Sequence, residues 1–540
     1  MRDARSLQGQ KVVCEVRSGD EFVKSRDGAL SGCPEAPSRD QPGAAAPRGG
    51  RGLATGLAGH VVRLLRLGHM RWYAIRPQHG LGFDRRRMVV WYAAFAIYAG
   101  AVTICSGGGA DGVWGVWATA GYALAAIVAT RSRGYAAPLL TALAVALLAP
   151  TAWLTLRASG TADVSVVVMS AHLLLRTGSP YLPAGRLASW QLYNPYLPAM
   201  ALFGLPKALG LPGLIGDPRL WLTAASAGLL GAAFWMVAPR RNARCGACLS
   251  AAAWCAVFAV ASPVLALPLA VGITDPPVIA LLCFALACAA RYRMTGSPRL
   301  LLATGLAIGF ACAMKFTAWP ALAVLAALFV ARDGIRVAGR FVVASILTTA
   351  VMIAACAPGL LGKPAGLLQN VVLYPLGMTQ HKTPAASPLP GHLLASIGEA
   401  GHVAAIGLLI AAALVIAGSL VVRPPADVAA ATRRLAIALA VMFILAPATR
   451  FGYFSYPVAL LGWLAMTSRA GSMADHDRPA GEPAAAPAVR AQAVNGVQRV
   501  RQGSGPGEPL RRAMRYLLPD QGTLPRIRHR RKSRKDPLTQ

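Results

Sequence analysis

Charged side chains are scarce in this sequence of 540 residues. Asp, Glu, Lys and Arg make up 14% of it, whereas a soluble domain usually carries about 25%. Apolar residues account for 55%, and the mean hydropathy is +0.49. These values exclude an ordinary soluble enzyme and indicate an all-α, polytopic membrane protein.

Acidic residues are especially few, with 21 Asp and Glu against 54 Lys and Arg and a formal net charge of +33. Such an excess is typical of nucleic-acid-binding proteins, but most of this chain is too apolar to form such a surface. Basic cytoplasmic ends that touch anionic lipid explain it better. We therefore expect the lipid bilayer as a partner and no nucleic acid, although the basic tail at 526–535 leaves nucleic acid as a minor alternative.

The sequence also lacks the short motifs of several large enzyme classes. No Walker A loop, GxGxxG after a strand, HExxH or GxSxG occurs in a suitable setting, which disfavours a nucleotide-driven pump. The ten cysteines lie mostly in apolar runs, and the CxxC formed by Cys245 and Cys248 has no second pair or histidine cluster beside it. We predict no disulfide framework, no metal-binding residues and no cofactor besides the donor substrate, and we leave open whether a divalent ion assists.

Long apolar runs occur only in the middle of the chain. Residues 1–87 and 469–540 are polar and basic, and we predict disordered cytoplasmic regions there; the first 85 residues contain no apolar core of the kind a signal peptide needs. Between them we predict a transmembrane domain at 88–468 with about 12 helical spans. The predicted spans are 88–105, 113–130, 135–156, 218–238, 247–265, 276–291, 299–314, 316–332, 340–357, 402–422, 433–448 and 451–468.

The distribution of arginine predicts the orientation of these spans. With the N-terminus inside, every cytoplasmic turn is basic, and the first and third outer turns, 106–112 and 266–275, contain no Lys or Arg. This agrees with the positive-inside rule and returns the C-terminus to the cytoplasm of a cell-membrane protein. Counting 195–211 as a span would invert the later turns. We therefore predict one long outer loop at 157–217, with interfacial helices at 164–176 and 197–210.

Ionisable residues at the predicted outer face are the candidates for chemistry. Asp163 follows the third span, Asp275 ends the third outer turn, Lys315 joins two spans and Arg450 lies in the last outer turn. Charges at membrane depth are costly and usually face a cavity or a partner. A carboxylate can deprotonate an acceptor hydroxyl, and Lys or Arg can hold a phosphate leaving group. This set suits glycosyl transfer from a lipid-phosphate donor.

Each of these residues also has a simpler interpretation. Asp163 and Asp275 precede helices and are suitable N-caps, Lys315 can reach the interface along its own stem, and Arg450 can pair with lipid headgroups. The second long outer loop is predicted at 358–401, and His392 in it is a further candidate for orienting substrate. Tyr193, Asn194 and Tyr196 offer flat faces and a polar rim for a sugar, or simply form a rigid entry into the next segment.

Several of these stretches resemble the GT-C membrane glycosyltransferases, and most closely glycosyltransferase family 87, the polyprenol-phosphate-mannose-dependent mannosyltransferases of actinobacteria. The resemblance covers about 88–468. It is carried by an outer Asp after a span, a stretch ending in Gly-Ser-Pro-Tyr, and then Tyr-Asn-Pro-Tyr-Leu-Pro. Thr-Asp-Pro-Pro, the Lys315 junction, Ser-Pro-Leu-Pro-Gly-His and Arg-Phe-Gly-Tyr-Phe add to it.

The resemblance implies an inverting hexosyltransferase that uses a polyprenyl-phosphate sugar, with mannose expected, and a lipid or glycan acceptor. It places the catalytic acidic residue at Asp163. Two additional spans precede the core here, so Asp111 in the first outer turn is a competing position. The residues imply substrate binding by Asp275, Lys315, His392 and Arg450. The alternative from another class is a transporter or lipid-linked sugar flippase, which we disfavour because no internal repeat is evident.

Overall fold

The computed structural model describes residues 85–238, 246–361 and 365–476. Most of the two predicted basic ends lies outside these ranges. At the inner edges of those ends the boundaries differ from the prediction, because Arg85–Ser106 begins three residues before 88 and Ser455–His476 continues past 468. Helix formation there extends into basic and polar residues that hydropathy alone assigns to the ends.

The described residues form helices joined by turns and irregular loops, with one isolated bridge between Ala386 and Thr449 in place of any strand. In chain order the longer helices are α1 Arg85–Ser106, α2 Ala110–Arg131, α3 Ala136–Leu156, α4 Ala162–Thr177, α5 Pro218–Val237, α6 Gly246–Ala261, α7 Pro263–Val271, α8 Asp275–Thr295, α9 Pro298–Met314, α10 Trp319–Asp333, α11 Ile335–Cys356, α12 Pro390–Ser396, α13 Glu399–Val422, α14 Val428–Leu445 and α15 Ser455–His476.

Within the described residues, 9 helices are long and apolar enough to cross a membrane. The number is 10 if α6 and α7, which meet at an angle of 62°, form one broken span. The chain is therefore a multi-pass membrane protein. Of the other two predicted spans, 299–314 is the shorter apolar helix α9, and 451–468 falls largely on α15. The total of 12 stays a prediction.

The long loop after α3 contains no spanning helix among its described residues. Its first part is α4, at the position of the predicted interfacial helix 164–176. Residues 195–211 form a 3₁₀-helix at Pro198–Gly204 and one α-turn at Leu205–Ala208, so they do not form a span. Pro198 and Pro206 each stand near the start of one of these short segments, where proline is tolerated.

Two prolines interrupt the helices next to α2, and side chains of α2 bond to carbonyls at the interruptions. Pro150 in α3 has no N–H to donate to the Ala146 carbonyl, and a π-helical stretch precedes it at Leu143–Leu148. The Trp114 indole donates to Ala146 O at 2.9 Å. At the break before Pro263, the Tyr122 hydroxyl donates to Ala261 O at 2.7 Å. In a membrane, where water is absent, such partners are needed.

Helix α8 is the most deeply buried of the candidate spans and lies at the centre of the apolar core. It packs mainly against α5 and α9. Its first residue, Asp275, is buried at the end of the bundle where α9 ends and α10 begins. The central helix therefore carries a carboxylate to one end of the core.

Candidate functional site

A cavity of about 410 Å³ opens at this end of the bundle. This volume falls within the range of small-molecule sites. Its wall is mostly apolar and receives residues from the start of α4, the loop before Pro198, the start of α8, the α9–α10 junction, the second long loop and the turn after α14. The ionisable residues in the wall are Asp163, Asp275, Lys315, Arg450 and the tyrosines 193, 196, 374 and 453.

Asp275 and Lys315 form a short, buried ion pair in this wall. Lys315 Nζ lies 2.6 Å from Asp275 Oδ1, and the two side chains are 8% and 3% exposed. The Tyr456 hydroxyl donates to the same oxygen at 2.9 Å. Asp275 therefore does not cap α8, and Lys315 does not extend to the interface, which removes the simpler interpretation of each residue.

The backbone between α9 and α10 brings Lys315 into the cavity. Lys315 is extended, with φ −151° and ψ 146°, and so separates the two helices. The preceding carbonyl, Met314 O, accepts a hydrogen bond of 3.0 Å from the Leu197 N–H. This contact brings the first long loop next to the junction, and Lys315 Nζ lies 4.8 Å from the centre of the Tyr196 ring. A lysine over an aromatic face is a favourable cation–π contact.

Asp163 and Arg450 form the second pair, which is looser. Arg450 Nη1 lies 4.0 Å from Asp163 Oδ1, and the Arg450 side chain is 37% exposed against 13% for Asp163. Asp163 is the second residue of α4, and Thr161 precedes the helix, so Asp163 is not its N-cap. Thr161 N–H donates to Val271 O at 3.2 Å, which attaches the start of α4 to the end of α7. Asp163 thus faces the cavity with one oxygen only loosely paired.

The surroundings favour a proton acceptor at Asp163 and a permanent cation at Arg450. Burial raises the pKa of the Asp163 carboxyl above its ordinary value, although Lys315 and Arg450 both favour its charged form. Burial alone would lower the pKa of Arg450, but Asp163 and Tyr453 outweigh burial and raise it. A carboxylate with a raised pKa is a stronger base near neutral pH than an exposed aspartate.

Aromatic rings from both long loops meet at the cavity. Tyr193 stacks on Tyr374 with ring centres 4.3 Å apart and an angle of 14°, and His381 approaches Tyr193 edge-on at 6.2 Å. Tyr193 and Tyr196 therefore line the site, as the sequence predicts. Tyr374 belongs to the second long loop, so the stack joins the two loops at the cavity.

Two of the predicted binding residues do not line the cavity. Asn194 is buried and holds the loops together, because its N–H donates to Asn370 Oδ1 at 2.8 Å and its side-chain oxygen accepts from Tyr196 N–H at 3.0 Å. His392 Nδ1 lies 2.9 Å from Pro447 O, a residue of the cavity wall. Both residues support the wall from behind in this structure.

Sequence reasoning missed Thr317, Tyr453 and Tyr456. Thr317 and Tyr453 line the cavity, and Tyr456 lies behind it as a bridge from Thr317 to Asp275. Both tyrosines belong to the stretch Arg-Phe-Gly-Tyr-Phe-Ser-Tyr at 450–456. Their closeness in sequence to Arg450, a predicted site residue, was the feature that could have indicated them. Asp111, the competing carboxylate, interacts electrostatically with Arg450 and Asp163 but is absent from the cavity wall.

Backbone hydrogen bonds attach the second long loop to the turn that carries Arg450. Ser387 N–H donates to Thr449 O at 3.0 Å, and Thr449 N–H donates to Ala385 O at 2.9 Å. The Ser387 hydroxyl also accepts from Phe451 N–H at 3.1 Å. The backbone on both sides of Arg450 is therefore bonded to the second long loop.

The arrangement brings two carboxylates, two cations and several aromatic rings together around one cavity. In the described residues no group of three or more His, Cys, Asp and Glu side chains is arranged to hold a metal ion. No family model, curated protein or solved structure matches the chain. The resemblance to glycosyltransferase family 87 accordingly stays a prediction.

Proposed function

We propose that this protein is an integral membrane glycosyltransferase. It moves a hexose, with mannose expected, from a polyprenyl-phosphate sugar to a lipid or glycan acceptor at the extracytoplasmic face. One observation carries the proposal. Asp163, Asp275, Lys315 and Arg450 come from separate parts of the chain and line one cavity together with Tyr193 and Tyr196.

In the proposed reaction the acceptor oxygen attacks the anomeric carbon of the donor. The bond between that carbon and the phosphate oxygen breaks, and its electrons leave with the polyprenyl phosphate. Asp163 takes the proton of the acceptor hydroxyl. The leaving phosphate gains negative charge, which Lys315 and Arg450 stabilise inside a largely apolar wall.

The two carboxylates differ in their suitability as the base. Asp275 Oδ1 already accepts from Lys315 and Tyr456, and its side chain is 3% exposed. Asp163 is more exposed, and its nearest cation is 4.0 Å away. We therefore assign the base to Asp163 and the fixing of Lys315 to Asp275. The Arg450 side chain is 37% exposed, and in the proposed reaction it turns from Asp163 towards the phosphate.

The experiment is a transfer assay in membranes that contain the protein and radiolabelled polyprenyl-phosphate mannose. Asp163→Asn keeps the shape of the side chain but removes the base, so transfer should fall about 100-fold or more. Asp333→Asn is the matched control, since Asp333 forms an ion pair with Arg293 and does not line the cavity. The control should transfer the label like the wild type.

Other outcomes would change the proposal in defined ways. Transfer that survives Asp163→Asn would retain the enzyme class and move the base to Asp111 or Asp275. A wild-type protein that transfers no label to any acceptor, but moves the labelled lipid between leaflets, would replace the transferase with the flippase.

A further inference from the structure

Hydrogen bonds join Lys315, Asp275, Tyr456 and Thr317 in that order, and each of these bonds has one possible direction. Lys315 Nζ donates to Asp275 Oδ1 at 2.6 Å, and a carboxylate that is paired with an ammonium group accepts hydrogen bonds. The Tyr456 hydroxyl lies 2.9 Å from the same oxygen and must therefore donate its one hydrogen to it. Tyr456 is fully buried, and no other orientation satisfies both groups.

The same reasoning extends to Thr317. Its Oγ1 lies 2.9 Å from the Tyr456 hydroxyl oxygen. Because the Tyr456 hydrogen is committed to Asp275, Thr317 must donate its own hydrogen to Tyr456. Thr317 lines the cavity and is half-buried. Because its hydrogen is given to Tyr456, its oxygen can only accept any further hydrogen bond. A ligand group that hydrogen-bonds to this oxygen must therefore supply the hydrogen.

We propose that Thr317 is a specificity-determining residue that accepts a hydrogen bond from one hydroxyl of the donor sugar. Thr317 stands two residues after Lys315, and both line the cavity. In the donor, the phosphate held by Lys315 is attached directly to the sugar ring. A sugar hydroxyl next to the phosphate is therefore the group that Thr317 meets. This inference rests on the proposed function, because it takes the donor to be a polyprenyl-phosphate sugar.

The physical consequence is discrimination against sugars that lack this hydroxyl. An acceptor with no hydrogen of its own is satisfied only by a donor group of the ligand. A deoxy sugar would leave it facing carbon in a largely apolar wall, where an unpaired polar group is costly. Sites built in this way reject the deoxy analogue more strongly than apolar pockets reject small changes of size.

Equilibrium binding tests the inference without requiring turnover. Purified full-length protein is incubated with radiolabelled polyprenyl-phosphate mannose, which is displaced by the unlabelled parent or by its 2-, 3-, 4- and 6-deoxy analogues. In the wild type, one analogue should bind about tenfold more weakly than the parent. In Thr317→Val, which keeps the side-chain shape, that difference should shrink to about twofold or less. Thr317→Ser should restore it.

Thr141→Val is the matched control, because the Thr141 hydroxyl bonds Ala137 O of its own helix and does not line the cavity. It should rank the ligands as the wild type does. An unchanged ranking in Thr317→Val would overturn this inference and leave the proposed function intact. A wild-type protein that binds the parent and its analogues equally would do the same. A wild type that binds none of the five lipids would overturn both.

Discussion

At the scale of single residues, the two ion pairs in the cavity wall differ in burial. The more buried a pair is, the more the stability of each charged side chain depends on its partner. Asp275 and Lys315 are both almost fully buried, whereas Arg450 is partly exposed beside Asp163. A buried charge that loses its partner keeps its desolvation cost with no compensation. Asp275 accordingly compensates the desolvation cost of the buried Lys315 charge.

We therefore predict that Asp275→Asn and Lys315→Met each destabilise the protein by about 3–5 kcal/mol, because each leaves an unpaired buried charge. The double variant should recover most of this loss, since neither charge remains. The measurement is thermal unfolding in detergent, with the coupling taken from the double-mutant cycle.

Asp333→Asn provides the comparison at the same pair distance. Arg293 and Asp333 also lie 2.6 Å apart, but their side chains are 26% and 19% exposed. Removing that carboxylate should cost about 1 kcal/mol or less. A melting temperature lowered equally by Asp275→Asn and Asp333→Asn would contradict the role of burial.

At the scale of helices, proline determines where the α-helical hydrogen bonding of α3 is interrupted and where α6 ends and α7 begins. The positions of Pro150 and Pro263 can be read directly from the sequence. It does not indicate which side chains bond the carbonyls there, because Trp114 and Tyr122 are distant along the chain. Which side chain donates to the carbonyl at each break depends on how α2 packs against its neighbours.

We predict that Tyr122→Phe destabilises the bundle by about 1–3 kcal/mol, because the buried carbonyl of Ala261 loses its side-chain donor. Tyr92→Phe is a matched control in the same aromatic cluster. The two rings stack with centres 6.4 Å apart, and the Tyr92 hydroxyl is buried without a hydrogen-bond partner among the described residues. Its removal should be neutral or stabilising.

Thermal unfolding of the two variants in the same detergent checks this prediction. A larger loss of stability in Tyr92→Phe than in Tyr122→Phe would mean that the break before Pro263 is not stabilised by the Tyr122 hydroxyl.

At the scale of the whole molecule, the cavity and its charges lie at one end of the bundle. Among the described residues, the arginines of the predicted cytoplasmic turns lie near the opposite helix ends, as Arg131, Arg293 and Arg332 do in the last turns of α2, α8 and α10. Arg336 near the start of α11 belongs to such a turn, whereas Lys382 belongs to the second long loop, which lines the cavity. Both side chains are exposed. The positive-inside rule predicts that the Arg336 end faces the cytoplasm.

Cysteine labelling in intact cells tests this orientation. In a variant without the native cysteines, Lys382→Cys should react with a membrane-impermeant maleimide. Arg336→Cys should react only after the cells are permeabilised. The reverse pattern would place the cavity on the cytoplasmic side and would contradict the proposal of an extracytoplasmic transferase.

The sequence by itself determined the class of the molecule and the candidate residues for its chemistry. Runs of apolar residues are a local property, so the positions of α1, α2 and α5 follow from hydropathy alone. The scarcity of charge made Asp163, Asp275, Lys315 and Arg450 stand out, and all four line the cavity. A charge within a membrane-spanning chain is costly wherever it lies, so such a residue can be recognised from the sequence alone.

Only the tertiary structure decided which of these residues are partners. Asp275 pairs with Lys315, and Asp163 with Arg450, because α8 begins beside the α9–α10 junction and α4 begins near the turn after α14. The same packing assigns Tyr456 a bridge to Asp275 and directs His392 to Pro447. Hydrogen bonds and ion pairs act over about 3–4 Å, so residues far apart in sequence become partners only when the helices pack.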